Sequence, residues 1–395
     1  MLIGLVGKPS AGKSTFFKAA TLAEVSIASY PFTTIKPNHG MGYVKVDCID
    51  REFNVQCNPS HGFCIKGKRF IPVELMDVAG LVPGASEGKG LGNQFLDDLR
   101  QADVFVHIVD VSGTTDAEGK QTENYDPCND IKFLEDELNK WFHGILVKAW
   151  KSFARKVELE DLSFSEAVAK QFSGLKVSEE HVKSILSKTN LPEKVSSWNE
   201  EQLFWFASEL RRESKPMIIA ANKVDMPRGR KNYEMLKDKF PALIIVPCSS
   251  DAELALREAA KAGLIEYIPG SREFEIKGKL TEKQKQALKN IKENVLDKFE
   301  GGTGVQEVLN KAVFELLKYM AVYPVDSANK LTDSKGNILP DCFLLPSRST
   351  ALDFAFFLHT DFGKNFIKAI DSRTKKTLGK NYELKHRDAL EIVTK

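Results

Sequence analysis

The strongest constraint on this chain is the stretch Gly7-Lys8-Pro9-Ser10-Ala11-Gly12-Lys13-Ser14, set between the apolar run Met1 to Val6 and the apolar-periodic segment Thr15 to Leu22. A G-x-x-x-x-G-K-S spacing that leaves a strand and opens a helix is what a polyphosphate needs. Gly7 and Gly12 let backbone amides face inward, and the helix N-terminus adds fixed partial positive charge. Ser10, Ala11 and Thr15 complete the candidate cradle. Lys13 can reach the outer phosphates, and Ser14 can offer its hydroxyl to a magnesium ion. A chance glycine-rich turn is the bland alternative, and the flanking strand and helix argue against it.

If the stretch is a nucleotide site, other ligand groups should follow in order. Tyr30-Pro31-Phe32-Thr33-Thr34-Ile35-Lys36-Pro37-Asn38 has two prolines around adjacent threonines, which excludes a helix. Thr34 is the candidate to complete the metal shell, although a turn threonine explains the residue equally well when it is taken alone. Phe70 to Met76 reads as a strand running into Asp77-Val78-Ala79-Gly80. Asp77 can reach magnesium through a water, and the Gly80 amide can bond a terminal phosphate. The following Leu81 to Gln94 holds Gly84, Gly88, Gly90 and Gly92, a density suited to more than one conformation.

Val104 to Asp110 and Pro216 to Asn222 read as buried strands, and the second ends in Asn222-Lys223-Val224-Asp225. The Asp225 carboxylate can accept two hydrogen bonds from guanine, a donor pair that adenine does not present. Asn222 can tie the base loop to the phosphate loop, and the Lys223 stem can cover the base. Another strand, Leu243 to Cys248, leads into Ser249-Ser250, whose amides can contact the guanine oxygen. Strands alternating with helices, with ligand groups at strand ends, predict a doubly wound α/β fold.

Roughly 110 residues separate Asp110 from Asn222, more than one crossover needs. Ile131, Leu134, Leu138, Trp141, Ile145, Ala149 and Phe153 predict one long amphipathic helix. Ser163 with Glu166 and Ser197 with Glu200 resemble capping boxes. Its aromatic stripe reads as packing core, and His143 and His181 as ordinary helix residues. Leu280 to Lys298 and Val305 to Met320 read as helices, and Tyr323-Pro324-Val325 breaks the pattern. Beyond it, Ser334 to Asn337 is a hairpin signal, Thr350 with Asp353 can cap a helix through His359, and strands follow at Phe366 to Ile370 and Ala389 to Val393. The expected organisation is therefore a first G-domain part at 1–127, a helical insertion at 128–213, a second G-domain part with connecting helices at 214–320, and a small α+β domain at 321–395.

The net charge of +2 does not mark the whole surface for nucleic acid or membrane. From Asp361 onward nine basic residues face five acidic ones, a local net of +4 that a solvated face explains most simply. No apolar run approaches a membrane span and no secretory signal is evident, so a cytoplasmic protein is expected. Six cysteines at irregular spacings argue against a disulfide framework. Cys48, Cys57, His61 and Cys64 crowd one stretch and could hold zinc, with ordinary loop residues as the simpler reading.

Together these motifs resemble the Obg superfamily of translation-factor-class GTPases, specifically its YchF (Obg-like ATPase) branch. The likeness is carried by Gly7 to Ser14, Tyr30 to Thr34 with Pro37-Asn38, Asp77 to Phe95, and Asn222 to Asp225. It implies a Ras-like P-loop G domain with a helical insertion and a C-terminal TGS domain of β-grasp fold. Lys13 and Ser14 would bind phosphate and magnesium, Thr34 would be the switch threonine, and Asp77 and Gly80 would sense the terminal phosphate. Asn222 and Asp225 would read the base, and Ser249 would begin the last base loop. The implied cofactors are GTP or GDP with Mg2+. The implied partner is the ribosome, at its large subunit or rRNA, reached by a monomer through the TGS domain and the insertion.

Three departures from the branch matter. Its base motif is usually degraded toward N-x-x-E with ATP accepted, whereas Asn222 to Asp225 is intact here and predicts GTP. Ser10 stands where many relatives have an asparagine associated with potassium. The loop from Ser112 to Pro127 lacks the histidine proposed as catalytic in YchF-type proteins. Leu81 occupies the place of the water-orienting glutamine of Ras-like enzymes and predicts slow intrinsic hydrolysis. A metabolic P-loop kinase or ATPase would have no reason for the intact base motif. A binding protein held folded by its nucleotide remains an alternative.

Overall fold

The computed structural model describes residues 1–22, 38–78 and 99–395. Thr34, Gly80, Leu81 and the glycine-rich stretch to Gln94 lie outside the described residues. The described chain forms two compact units, one from 1–20, 38–40, 74–78 and 99–308, the other from 21–22, 41–73 and 309–395.

In the first unit β1 (Leu2–Val6) leads through the glycine loop to α1 (Lys13–Thr21). Two strands, β2 (His39–Asp47) and, after a short β3 (Phe63–Ile65), β4 (Lys68–Asp77), run between the units. The first unit's sheet continues with β5 (Val104–Asp110), β6 (Met217–Asn222) and β7 (Ile245–Cys248) in the spatial order β4-β1-β5-β6-β7, every neighbouring pair parallel. β1, β5 and β6 are buried along their whole length. This is why they read as unbroken apolar runs rather than alternating ones. The parallel register aligns the C-terminal ends of β1, β4, β5 and β6, where an open α/β sheet presents its ligand groups.

Between β5 and β6 the chain is helical. α2 (Cys128–Leu159) is 32 residues long, and α3 (Phe164–Gln171), α4 (Glu179–Leu186) and α5 (Glu200–Ser214) follow. The buried stripe of α2 differs from the expected one. Phe142, Leu146 and Trp150 are buried where Ile145 and Ala149 were expected to carry the face. The reason is a broad contact with α5 and its approach, in which Trp150 stacks on Trp198 at 5.2 Å and Phe206 meets both rings. Two expected caps also move. Ser163 makes no capping bond, and Asn199, with Gln202 reciprocating at 2.9 Å each way, caps α5 in place of Ser197. Residues Val195–Ser197 are used up in a tight turn of their own. His181 closes the cap of α4, its Nδ1 accepting the Ser178 amide at 3.2 Å.

α6 (Gly229–Lys239) and α7 (Ser250–Lys261) flank β7, and a small hairpin, β8 (Ile265–Tyr267) with β9 (Phe274–Ile276), packs with α8 (Glu282–Ile291). The helix expected to reach Met320 is short: α9 (Val305–Asn310) widens into a π turn over Lys311–Leu316, and Lys318 at φ +54° turns the chain out. Tyr319 already begins a strand, so Tyr323-Pro324-Val325 lies within that strand and breaks nothing.

That strand, β10 (Tyr319–Val325), centres the second unit's mixed sheet. With β11 (Phe343–Pro346), β12 (Phe366–Asp371), β13 (Thr377–Leu378) and β14 (Asp388–Thr394) the order is β11-β10-β14-β12-β13, with β10 and β14 parallel. Between β11 and β12, α10 (Ala351–Leu358) starts at Thr350, whose hydroxyl and the Asp353 carboxylate form the expected capping box, and α11 (Thr360–Lys364) follows. Phe354 of α10 packs on Met320, Val322, Leu345 and Leu390. A helix laid on a mixed sheet with parallel central strands is the β-grasp arrangement. The turn at 334–337 forms around Asp333, which accepts the Lys335 and Asn337 amides, but only isolated bridges flank it and no hairpin strands form.

Candidate nucleotide site

The loop between β1 and α1 has the backbone that a phosphate cradle requires. Gly7 sits at φ +148°, and a Cβ there would meet the Ile108 carbonyl at 2.5 Å. Gly12 sits at φ +96°, and a Cβ would lie 2.3 Å from Asn222 Nδ2. Both positions therefore exclude any side chain, for contact as well as conformation. Ser10 takes a left-handed φ of +62° and is exposed, Ala11 is buried, and Thr15 is half-buried in the first turn of α1.

Lys13 is largely buried, and its Nζ donates to the Lys8 carbonyl at 2.8 Å. Burial lowers its pKa and the Asp77 carboxylate works in the opposite sense. Exposed Ser14 Oγ lies 3.0 Å from Asp77 Oδ2, so the end of β4 and the start of α1 bring a hydroxyl and a carboxylate together. These are hard oxygen donors of the kind magnesium takes, and they converge at the mouth of the cradle. The donor set thus fits the ion, with Ser14 and Asp77 as its protein ligands.

The base loop is tied to the phosphate loop as the sequence suggested. Asn222 Nδ2 donates to the Ala11 carbonyl at 2.9 Å, and Asn222 Oδ1 accepts the Ser250 amide at 3.0 Å and its hydroxyl at 2.9 Å. One buried side chain thereby links the ends of three segments. Lys223, at φ +64°, donates to the Ser10 carbonyl at 2.9 Å and to Asp110 Oδ2 at 2.8 Å. Burial pushes the Asp110 carboxyl up, but hydrogen bonds from Lys223, Ser112 and Thr115 outweigh it and hold the group below its usual range. Asp225 is exposed just beyond. Ser249 is buried, its amide donating to Thr303 at 2.9 Å and its hydroxyl without a partner among the described residues.

Two features carried no sequence signal. Lys8, inside the glycine loop, is buried, 3.0 Å from Asp130 of α2, donates to the Thr115 carbonyl at 2.7 Å, and lies over the Tyr125 ring at 4.1 Å. Gly119 approaches the loop from the same segment, a Cβ there falling 2.7 Å from the Pro9 carbonyl. His107 on β5 is fully buried beneath Gly7, and burial, then the Lys13 and Lys8 cations, push its imidazole down to about 3. Lys8 and Asp130 are 122 positions apart, which no local pattern reveals.

Comparisons with known proteins agree with this geometry. The family described as 50S ribosome-binding GTPase matches residues 2–140, that described as Obg-like GTPase YGR210-like, G4 motif-containing domain matches 220–327, and the TGS domain matches 319–394. An uncharacterized GTP-binding protein of Methanocaldococcus jannaschii is 49% identical over 393 residues, covering 100% of this chain and 99% of its own. The crystal structure of a GTP-binding protein from Pyrococcus horikoshii OT3 is 42% identical, covers 100% of both chains and superposes with a TM-score of 0.80. The Schizosaccharomyces pombe YchF GTPase shares the fold, with 22% identity, a TM-score of 0.59 and coverage of 100% and 97%. A phosphate loop locked to an intact base motif and full-length likeness to GTP-binding relatives place this chain in the Obg-like family of P-loop GTPases, in its YGR210-like and YchF group, with a C-terminal TGS domain.

Proposed function

We propose that the chain is a magnesium-dependent GTPase switch that hydrolyses GTP slowly and acts on the ribosome. The observation that carries the nucleotide assignment is the Asn222 side chain bonded at once to Ala11 and Ser250, which leaves Asp225 exposed at the edge of the site. In this reading the amides of 7–15 and Lys13 hold the phosphates, and the Lys223 stem covers the base. Asp225 accepts the guanine N1 and exocyclic amine protons, and Ser249 and Ser250 approach the guanine oxygen. Magnesium, held by Ser14 and Asp77 with Thr34, neutralises phosphate charge. Lys13 stabilises charge on the outer phosphates, and the Gly80 amide senses the last of them.

Exchanging Asp225 for asparagine reverses one donor–acceptor match. Asp225→Asn should move preference from GTP toward xanthosine triphosphate, and a variant that still prefers GTP refutes the assignment. Equal affinity of the unmodified chain for ATP would favour the ATPase reading of the YchF branch. Slow turnover follows from Leu81, which cannot orient water, so a partner or another part of the chain has to supply that group. A nucleotide-gated scaffold with little hydrolysis is the second reading that Leu81 favours, and single-turnover assays separate the two. The ribosomal part of the proposal is supported by the description of the family matching residues 2–140 and by the TGS domain. The expected docking parts are the helical insertion and the TGS region, in a monomeric, cytoplasmic protein. Co-sedimentation with ribosomal subunits should be greatest with a non-hydrolysable GTP analogue. Absence of pelleting in every nucleotide state removes the ribosome from the proposal.

A further inference from the structure

The second unit contains a cluster of side chains that the nucleotide site does not use. Cys48 follows β2, Asp50 lies in the tight turn Ile49–Arg51, Cys57 belongs to the loop after it, and Cys64 is in β3. Their ligand atoms all lie within 4.8 Å of one another, and Cys48, Asp50 and Cys57 are buried. Cys48 Sγ is 3.8 Å from Cys57 Sγ, and Cys64 Sγ is 3.9 Å from Asp50 Oδ2. A tetrahedral ion with zinc–sulfur bonds of about 2.3 Å holds its sulfurs about 3.8 Å apart, and a sulfur and an oxygen about 3.5 Å apart. Both separations are close to the edges of such a tetrahedron.

The surroundings point to a ligand as well. Asp50 Oδ1 is buried with no hydrogen-bond partner among the described residues, a costly state for a carboxylate inside a protein. Arg69 is fully buried, and its guanidinium donates only to the Leu339 and Pro340 carbonyls, at 3.1 and 2.7 Å. It stands directly across the strand pair from Cys64, on the same face. A buried cation without a carboxylate partner is matched by an anionic centre nearby, and three thiolates and a carboxylate around a divalent ion carry a net charge of −2. Hydrogen bonds from Cys57, then Cys64, lower the Cys48 thiol's pKa, and the Asp50 amide adds to the effect. Amide-to-sulfur bonding of this kind orients metal-bound thiolates. His61, the imidazole that the sequence grouped with these cysteines, pairs with Asp341 at 2.8 Å instead.

We propose that Cys48, Cys57, Cys64 and Asp50 form a closed, structural zinc(II) site that staples the segment 48–64. Four protein ligands leave no open position, so the ion has a structural role and does not activate water. Its three sulfurs come from separate pieces of backbone, and binding joins them in the way that a disulfide would in an oxidising compartment.

The full chain, purified under reducing conditions without chelator, should contain about one zinc per chain by elemental analysis. Exchange with cobalt(II) should give sulfur-to-cobalt charge transfer and the intense visible bands of a tetrahedral thiolate site. Cys48→Ser and the pair Cys57→Ser with Cys64→Ser should abolish those bands, Asp50→Asn should weaken zinc at least about tenfold, and Cys128→Ser should leave it unchanged. The measurements on the unmodified chain decide the matter even if a variant fails to fold. A reduced, folded chain that retains no zinc and gives no cobalt–thiolate spectrum overturns the proposal. So does zinc retained by the triple serine variant, or an intact mass showing a Cys48–Cys57 disulfide.

Discussion

Replacing Asn222 by alanine is the sharpest test of how the site is assembled. The side chain is 3% exposed and makes three hydrogen bonds, to the Ala11 carbonyl, the Ser250 amide and the Ser250 hydroxyl. Truncation strands two buried backbone groups, the Ala11 carbonyl and the Ser250 amide, while the hydroxyl can rotate to another acceptor. Each stranded group costs about 1–3 kcal/mol, so the local loss is on the order of 2–4 kcal/mol. A chain of two units need not unfold in one step, so the measurement has to be local. Hydrogen exchange of the Ser250 amide should accelerate by about 30- to 900-fold, the same free energy expressed as an equilibrium ratio. GDP affinity should fall with it, because the phosphate loop loses its tie to the base loop. Protection of the Ser250 amide within about threefold of the unmodified chain would refute the reasoning, since it would mean that the bonds across Asn222 hold nothing in place.

Other sites give comparable tests. Gly12→Ala should abolish nucleotide binding in a filter or fluorescence assay, because the new Cβ would sit 2.3 Å from Asn222 Nδ2 at a φ of +96°. Lys8→Ala should cost about 3–5 kcal/mol by leaving Asp130 buried without its cation, and Lys8→Met with Asp130→Leu should recover much of the loss in a thermal double-mutant cycle. His107 carries a pH dependence. Its imidazole is held down to about 3 when folded, against an ordinary value near 6.5, so the unfolded chain takes up the proton first. The stability that this contributes is complete above pH of about 6.5, falls as pH drops, and is lost below about 3, on the order of 4 kcal/mol in all. Melting temperatures between pH 7 and 4 should fall more steeply for the unmodified chain than for His107→Leu.

The parts of the fold legible in sequence were those fixed by local chemistry or by burial on every side. β5 and β6 are apolar throughout because both faces are covered, and Thr350 with Asp353 caps α10 through contacts only three residues apart. Motif spacing located the phosphate and base loops, because a positive φ and a tight approach admit few residue types. What remained hidden depends on partners distant in the chain. The α2 stripe rotates toward Trp150 because Trp198 and Phe206 meet it there. The helix before β10 stops short of Met320 because Tyr319 joins a sheet, pairing with Pro346. Asp50 stands beside the cysteines in place of His61 because 341 supplies the histidine with a carboxylate.

The buried Lys8 ion pair has a mechanical consequence. It fastens the phosphate loop to Asp130 in the first turn of α2, a rod of 32 residues that spans about 48 Å. Any tilt imposed at that fastening is amplified along the rod. A rotation of about 5° at the pivot sweeps the far end through about 4 Å, so a displacement of less than an ångström beside the phosphates is enough to be read at the distal tip of the helical region.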